Sequence, residues 1–405
     1  MHFKIKYVNK GKVKEVIIFA KSIKDALNKF KKKKLGALID IEEFNKPSFT
    51  EELLKKIDIS KINLEEFIAI LEQIYVMLNA GIAIDLTLQS SIKSIKDKKL
   101  KYIVNSILQD VKGGFSLSHA FSKFEKELGV LSVAMIKLGE ETGDLAEAIK
   151  DLATILQEIL DNKRRLKKAT RYPIFILLAM SIAFVVVILF VIPPFKSIFA
   201  QLKTELPLPT KLLLWLETLF IDYGLYILLS SLILFGILLY LYNTKDNIRL
   251  KVDKWLLKVY IVGETIKLAM IGRFIYVLQR LINLGIPILD AVNIALKIVD
   301  NFYIKSRLEY IRNSITSGRS ITKGFKESDL FEDMIIQMIS AGEESGALIF
   351  MLQKVSKYYL EKYRYIVDNI ATLIEPILIA AIAGFVITLA LGIFLPMWSL
   401  VDANM

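Results

Sequence analysis

Three stretches of this chain carry no charge over lengths that cross a bilayer, and they limit the fold more than any other feature. Residues 172–192 read YPIFILLAMSIAFVVVILFVI, 21 residues without an acid or a base. Tyr223–Thr244 supplies 22 more, and 26 uncharged residues separate Glu375 from Asp402, interrupted by Pro396. A helix of about 20 residues rises roughly 30 Å, the depth of the hydrocarbon core. The chain is nevertheless 24 % charged and 54 % hydrophobic, so polar blocks must alternate with apolar ones. That pattern excludes a disordered chain, a disulfide scaffold and a purely soluble globule.

Lysine and arginine beside the spans set the orientation. Lys163, Arg164, Arg165, Lys167, Lys168 and Arg171 precede the first span, and Lys245, Arg249, Lys251, Lys254 and Lys258 follow the second. The link 193–222 is neutral, and after Pro396 only Asp402 is charged. The N-terminus and the block between spans two and three are therefore expected in the cytoplasm, and the C-terminus outside. Met1–Lys46 contains no apolar core of a signal peptide.

The chain also repeats itself. Gly81 and Gly285, like Gly114 and Gly318, stand 204 positions apart. Gly143 and Gly346, Pro173 and Pro376, and Pro193 and Pro396 stand 203 apart. One registration with a single one-residue slip implies a duplicated unit: a soluble helical block followed by a span. Both copies keep one orientation, so the second span must return the chain between them, unlike an inverted-repeat transporter.

Within a block the period is helical. Phe67, Ile70, Leu71, Ile74, Met77 and Leu78 fall on one face. Gly81 and Gly285 suit left-handed helix ends, as do Gly114 and Gly318, and Ser116 and Ser320 suit the N-caps that follow. Gly139–Gly143 and Gly342–Gly346 read as inter-helix turns. The expected architecture is mainly α, a polytopic membrane protein with two duplicated cytoplasmic bundles of about six helices each. A small basic α+β module, residues 1–45, precedes them, with FKIKYV and EVIIFA as strands and Ser22–Lys33 as helix. The bundles are placed at 64–171 and 264–374. The membrane helices are placed at 172–192, 223–244 and 375–395, with an external loop at 193–222 and an external tail at 396–405.

Catalytic chemistry is missing. The chain has no cysteine and only two histidines, His2 and His119, so it has no thiolate or multi-histidine metal site. It has no phosphate loop, GxSxG or HExxH pattern. No enzyme activity, catalytic residue, cofactor or metal is expected. Nucleic acid is not expected either, because the positive charge hugs the membrane edge without an aromatic stacking pattern. The lysine run Lys31–Lys34 fits a solvated face or anionic lipid. The polar span residues Ser181, Ser230, Ser231 and Thr388 are not ionisable, which argues against an ion-coupled carrier. Glu140, Glu141, Glu343 and Glu344 are candidates for contact with a partner or a cation, against the alternative of capping a turn. Ala380, Gly384, Thr388 and Gly392 recur every four residues, a small-residue face on which another helix can pack. Its partner would be span one, through Ala179 and Ala183, or a second copy.

The doubled segments Leu78–Leu86, Gly114–Phe121 and Gly139–Leu145, repeated as Leu281–Leu289, Gly318–Phe325 and Gly342–Leu348, resemble the inner-membrane platform proteins of type II secretion and type IV pilus machines (PilC/GspF type). Their pattern includes G-x-S-x-x-x-A-[FL] and G-E-x-[ST]-G-x-L, and this chain departs from it at Gly324, where alanine is usual. The resemblance implies a multi-pass inner-membrane platform on which a hexameric cytoplasmic ATPase acts to move pilin or pseudopilin subunits into a filament. It also implies alignment-complex proteins as neighbours and a homo-oligomeric state among membrane lipids. A transporter or a signalling scaffold is the alternative from another class.

Overall fold

The computed structural model describes residues 2–9, 12–19, 29–30, 37–44, 62–194 and 208–403. The chain divides into two compact units, Met1–Lys61 and Ile62–Met405. In the first, strands β1 (His2–Asn9), β2 (Lys12–Phe19) and β3 (Ala37–Phe44) form an antiparallel sheet in the order β2-β1-β3. Ile5 stands opposite Val16 on one side and Ile41 on the other, the cross-strand apolar pairing that stabilises a sheet face. FKIKYV and EVIIFA fall on β1 and β2. The third strand, ALIDIEEF, escapes the sequence pattern because both of its faces mix apolar and acidic residues. Lys29 and Phe30 are helical; the rest of the expected helix Ser22–Lys33, and the run Lys31–Lys34, lie outside the described residues.

The second unit is helical throughout its described residues. The first copy contains α1 (Leu64–Asn79), α2 (Ile84–Ser94), α3 (Lys98–Lys112), α4 (Leu117–Ser122), the single turn α5 (Glu125–Leu128), α6 (Val130–Thr142) and α7 (Leu145–Val186). A long helix, α8 (Leu208–Thr244), and a short one, α9 (Asp246–Leu256), connect the copies. The second copy contains α10 (Val262–Asn283), α11 (Ile288–Lys297), α12 (Phe302–Thr316), α13 (Ile321–Ser328), α14 (Asp333–Glu344), α15 (Leu348–Asp368) and α16 (Ile370–Ala403). The order of elements is the same in both copies except at α5 and at the last helix, which is continuous as α7 and divided into α15 and α16. The one-residue slip of the repeat falls at α5, where α13 instead runs on to Ser328 and ends on left-handed Asp329.

Each copy folds because its first helix packs on its last. Phe67, Ile70, Leu71 and Ile74 of α1 are buried with Ile149, Leu152, Ile155 and Leu156 of α7. In copy two Phe274, Ile275, Leu278 and Leu281 of α10 are buried with Leu352, Val355 and Tyr359 of α15. All of these belong to a single hydrophobic cluster that continues from one copy into the other. Fully burying one such side chain contributes about 1.5–3 kcal/mol.

Three helices are long and apolar enough to cross a membrane: Leu145–Pro194, Leu208–Thr244 and Leu348–Gly392. Pro173 does not start a new helix; it lies inside the 42-residue α7, which runs unbroken from the soluble bundle into the span for about 63 Å. A π-helical turn at Val187–Val191 follows. Copy two differs, with a break at Asn369 between α15 and α16. Residues 208–222 of the expected loop are the first turns of α8, and residues 195–207 lie outside the described ones. Residues 396–403 of the expected tail continue α16.

Gly324, the departure from the repeated pattern, has a packing cause. A Cβ there would stand 2.6 Å from the Ile311 Cα and 3.0 Å from the Ser314 Cβ on α12. Gly324→Ala should lower stability by about 1–3 kcal/mol through overpacking, despite the better helix propensity of alanine. A thermal melt of the purified protein reads this; an unchanged midpoint would show that α12 can retreat without cost.

Candidate functional site

The repeated Gly-Glu-Glu-[Thr/Ser]-Gly segments are helix ends rather than free turns. Gly139, Glu140, Glu141 and Thr142 form the last turn of α6, and Gly342, Glu343 and Glu344 that of α14. The first glycine allows a close crossing. A Cβ on Gly139 would lie 2.8 Å from the Ala148 Cβ and 2.9 Å from the Leu145 Cα, and one on Gly342 would lie 2.8 Å from the Met351 Cγ. The six motif glycines Gly81, Gly114, Gly143, Gly285, Gly318 and Gly346 all have φ between 68° and 88°. At Gly81 the reason is explicit: the Ile82 and Gly81 N–H groups return to the Met77 and Leu78 carbonyls, a helix end that needs one left-handed residue.

Glu140 and Glu343 reach back to the start of an earlier helix. The Glu140 carboxylate accepts from the N–H of Leu117 and, at 3.1 Å, of Ser118, the first two residues of α4. The Ser116 hydroxyl takes the third, at His119. Copy two repeats this: Glu343 accepts from Ile321 N–H at 2.8 Å, Thr322 N–H at 3.0 Å and the Thr322 hydroxyl at 2.6 Å, while Ser320 caps Lys323. The first N–H groups of a helix have no partner within it and carry its positive end, so a carboxylate there makes charge-assisted bonds. Burial pushes the Glu343 carboxyl up, but the Thr322 hydroxyl and the two N–H groups outweigh it and hold the carboxyl below its usual range. Both Glu140 and Glu343 thus make their hydrogen bonds inside the bundle. Glu141 and Glu344 point outward: Glu141 is 3.6 Å from Lys137, with both side chains about two-thirds exposed, and among the described residues Glu344 accepts from Ser340, on its own helix.

The copies meet through their equivalent helices α7 and α15. Arg165 pairs with Asp368 at 2.9 Å, residues 203 positions apart and so counterparts under the repeat. Residues that are counterparts under the repeat thus face each other across the seam. Arg364 pairs with Glu158 at 2.8 Å, and the buried Tyr363 donates to the Asn162 carbonyl. Burial pushes the Tyr363 phenol up. A cavity of about 270 Å³ lies along this seam, lined in part by Ile159, Leu166, Met270, Tyr276 and Leu360. Sequence reasoning passed over the seam, although opposite charges at counterpart positions 165 and 368 were a readable signal.

In the spans, Ser181, Ser230, Ser231 and Thr388 all return their hydroxyls to carbonyls of their own helices. The small-residue face is brought into contact at one end only. Gly392 is buried against Leu213 of α8, where a Cβ would fall 2.3 Å from the Leu213 Cδ1, and its carbonyl accepts from the Thr210 hydroxyl at 2.9 Å. Ala380 and Gly384 are exposed, as are Ala179 and Ala183 of the first span, and the Thr388 hydroxyl donates to the Gly384 carbonyl of its own helix. The first and third spans instead touch through Phe184 and Phe385, ring centroids 5.5 Å apart. These rings turn another side of α16 toward α7.

Removing Glu343 should cost more than removing its neighbour. Glu343→Gln should lose about 1–3 kcal/mol in denaturant unfolding, and Glu140→Gln should behave alike. Glu141→Gln and Glu344→Gln should stay within about 0.5 kcal/mol of the parent. A depressed carboxyl contributes stability that is complete above its unfolded value of 4.5 and is lost as pH falls through the lower folded value. The gap between parent and Glu343→Gln should therefore hold steady at neutral pH and close below about pH 4.5. Equal losses for all four variants would contradict the division of roles.

Residues 70–193 and 274–396 each match the family described as type II secretion system (T2SS), protein F. The chain is 28 % identical to the type IV pilus assembly protein TapC of Aeromonas hydrophila over 345 residues, 85 % of this chain and 83 % of TapC. It is 26 % identical to the type IV pilus assembly protein PilC of Pseudomonas aeruginosa over 328 residues, 81 % of this chain and 88 % of that one. It is 24 % identical to the type II secretion system protein F of Vibrio cholerae serotype O1 over 336 residues, 83 % and 82 % of the two chains. With both halves of its repeat matched, and three helices fit to span a membrane, this chain belongs to the type II secretion system protein F family.

Proposed function

We propose that this membrane protein is the inner-membrane platform of a type IV pilus or type II secretion assembly machine. In this reading it couples a hexameric cytoplasmic ATPase to the entry of pilin or pseudopilin subunits into a filament and catalyses no reaction itself. Alignment-complex proteins are its other neighbours. The bundles at 64–171 and 264–374 and the module at 1–45 face the cytoplasm, and the C-terminus lies outside. The basic turns before span one and after span two support that orientation.

The observation that carries the reading is α7. One unbroken 42-residue helix belongs to a cytoplasmic core and to a span. A displacement of the bundle therefore reaches the bilayer along one continuous helix, whose points of bending are Pro173 and the π-helical turn at Val187–Val191 that follows it. Glu141 and Glu344, exposed and repeated in both copies, are the partner contacts we favour, offering their charge to an Arg or Lys of the ATPase, a subunit or a neighbouring protomer. The exposed part of the Ala380–Gly384 face suits a second copy in a homo-oligomer.

Two sets of variants test this. Ala169→Gly with Thr170→Gly softens the rod between bundle and span, by about 1 kcal/mol at Ala169 and less at Thr170, threonine being itself a weaker helix former than alanine. Filament assembly should fall while membrane insertion and co-purification of the ATPase persist; full assembly would sink the rod argument. Glu141→Lys with Glu344→Lys should leave the melting temperature unchanged and abolish either ATPase recruitment or filament assembly. If both persist, the outward carboxylates are not the contact.

A further inference from the structure

We propose that α9 and the turn after it form an interfacial foot that seats the second copy on the anionic headgroups of the bilayer. The proposal rests on reading Tyr223–Thr244 as a span. α9 begins two residues after α8 ends at Thr244. Ile248, Val252 and Trp255 fall at i, i+4 and i+7, one stripe of a helix. Val252 and Trp255 are exposed, Trp255 at 65 %. Lys245, Lys251, Lys254 and Lys258 are exposed around that stripe.

The other side of α9 is fastened to copy two. Asp253 is buried; its carboxylate accepts from the Phe302 N–H at 2.6 Å, and its carbonyl accepts from the Asn301 amide. Arg249 donates to the Asp300 carbonyl and covers the Phe302 ring. These bonds fix which face of α9 is left outward.

They also fix its depth. Tyr242, still inside the uncharged stretch, donates its hydroxyl to Asp253 at 2.8 Å, and Arg249 lies over the Tyr242 ring. Asp253 is the eighth residue of α9 and would be carried well away from the bilayer if the helix rose along the axis of the span. Tethered to Tyr242, the middle of α9 stays at the membrane edge. The chain then turns at Ile261, φ 63° and ψ −50°, with Val262 N–H donating to the Tyr260 carbonyl at 2.7 Å. This is a γ-turn of the rare, strained hand. It leaves Tyr260 73 % and Val262 44 % exposed beside the α9 stripe.

The occupant follows from continuity and charge. The exposed apolar residues of α8, Leu239 and Tyr240 among them, are followed a few residues further along the chain by the exposed Val252 and Trp255. Tryptophan and tyrosine concentrate where hydrocarbon gives way to headgroups, and a lysine-bordered amphipathic helix of this kind lies in that plane. Four exposed lysines add attraction to anionic lipid.

The chain has three tryptophans, Trp215, Trp255 and Trp398, so Trp255 can be isolated by Trp215→Phe and Trp398→Phe. The full chain is reconstituted in vesicles of phosphatidylcholine and phosphatidylglycerol. Trp255 emission should be blue-shifted, quenched by lipid brominated near the headgroup, and shielded from aqueous iodide. Lys251→Glu with Lys258→Glu should restore iodide quenching in these vesicles. A tryptophan placed at Ile233 in the tryptophan-free chain is the control for the span: if deep-brominated lipid fails to quench it, the span reading has failed. If that control is quenched while Trp255 is open to iodide and untouched by bromine, the foot is overturned. If Trp255 is shielded from both quenchers, a protein surface covers the stripe, and the lipid proposal is equally overturned.

Discussion

A backbone in lipid has no water to bond, so every crossing has to satisfy its own N–H and C=O groups. That constraint makes each end of the duplicated unit a helix. α8, the second of the three helices long and apolar enough to cross, meets α16 through the Thr210 hydroxyl and the Gly392 carbonyl. The soluble bundles inherit their direction from the spans. α7 is one helix across both environments, and α15 leads to α16 through the single residue Asn369.

Within each bundle the same logic of unsatisfied backbone groups recurs at smaller scale. The short helices α4 and α13 cannot be stable alone; helices of six or eight residues lie below the length at which propagation overcomes nucleation. Glu140 and Glu343 hold their first turns from the ends of α6 and α14. The repeated glycine before each glutamate lets those ends come close enough to α7 and α15. The motif is thus a mechanical joint of three helices, and only its second carboxylate is left for anything beyond the fold.

Much of this was readable in advance. Length and charge locate the spans, and the 203–204 offset gives the duplication and the helix ends at Gly81, Gly114 and their counterparts. The destination of the Glu140 and Glu343 side chains was not readable, because it depends on a helix more than twenty residues earlier folding back to the same point. That α7 would run through Pro173 was not readable either: proline is unfavourable within a helix, yet here the flanking turns and the packed bundle continue α7 through it. Of the small-residue face of α16, only Gly392 meets a neighbouring helix, at Leu213 and Thr210 of α8. Spacing shows which residues share a face, whereas the Phe184–Phe385 contact decides which way that face turns. The seam at Arg165 and Asp368 was legible only to a comparison of counterpart charges.

That seam carries a historical consequence. Two separate, identical units joined about a two-fold axis would present the same side chain to itself there: arginine against arginine, or aspartate against aspartate, a repulsion either way. An Arg165–Asp368 pair requires two units that differ in sequence, as the two halves of this chain do. Glu158 and Arg364 also pair across the seam, whereas their counterparts Glu361 and Asp161, both acidic, pair with Lys357 and Arg164 on their own helices. At positions 165 and 368, then, duplication within one chain does more than tether two partners: each half carries the charge its twin lacks.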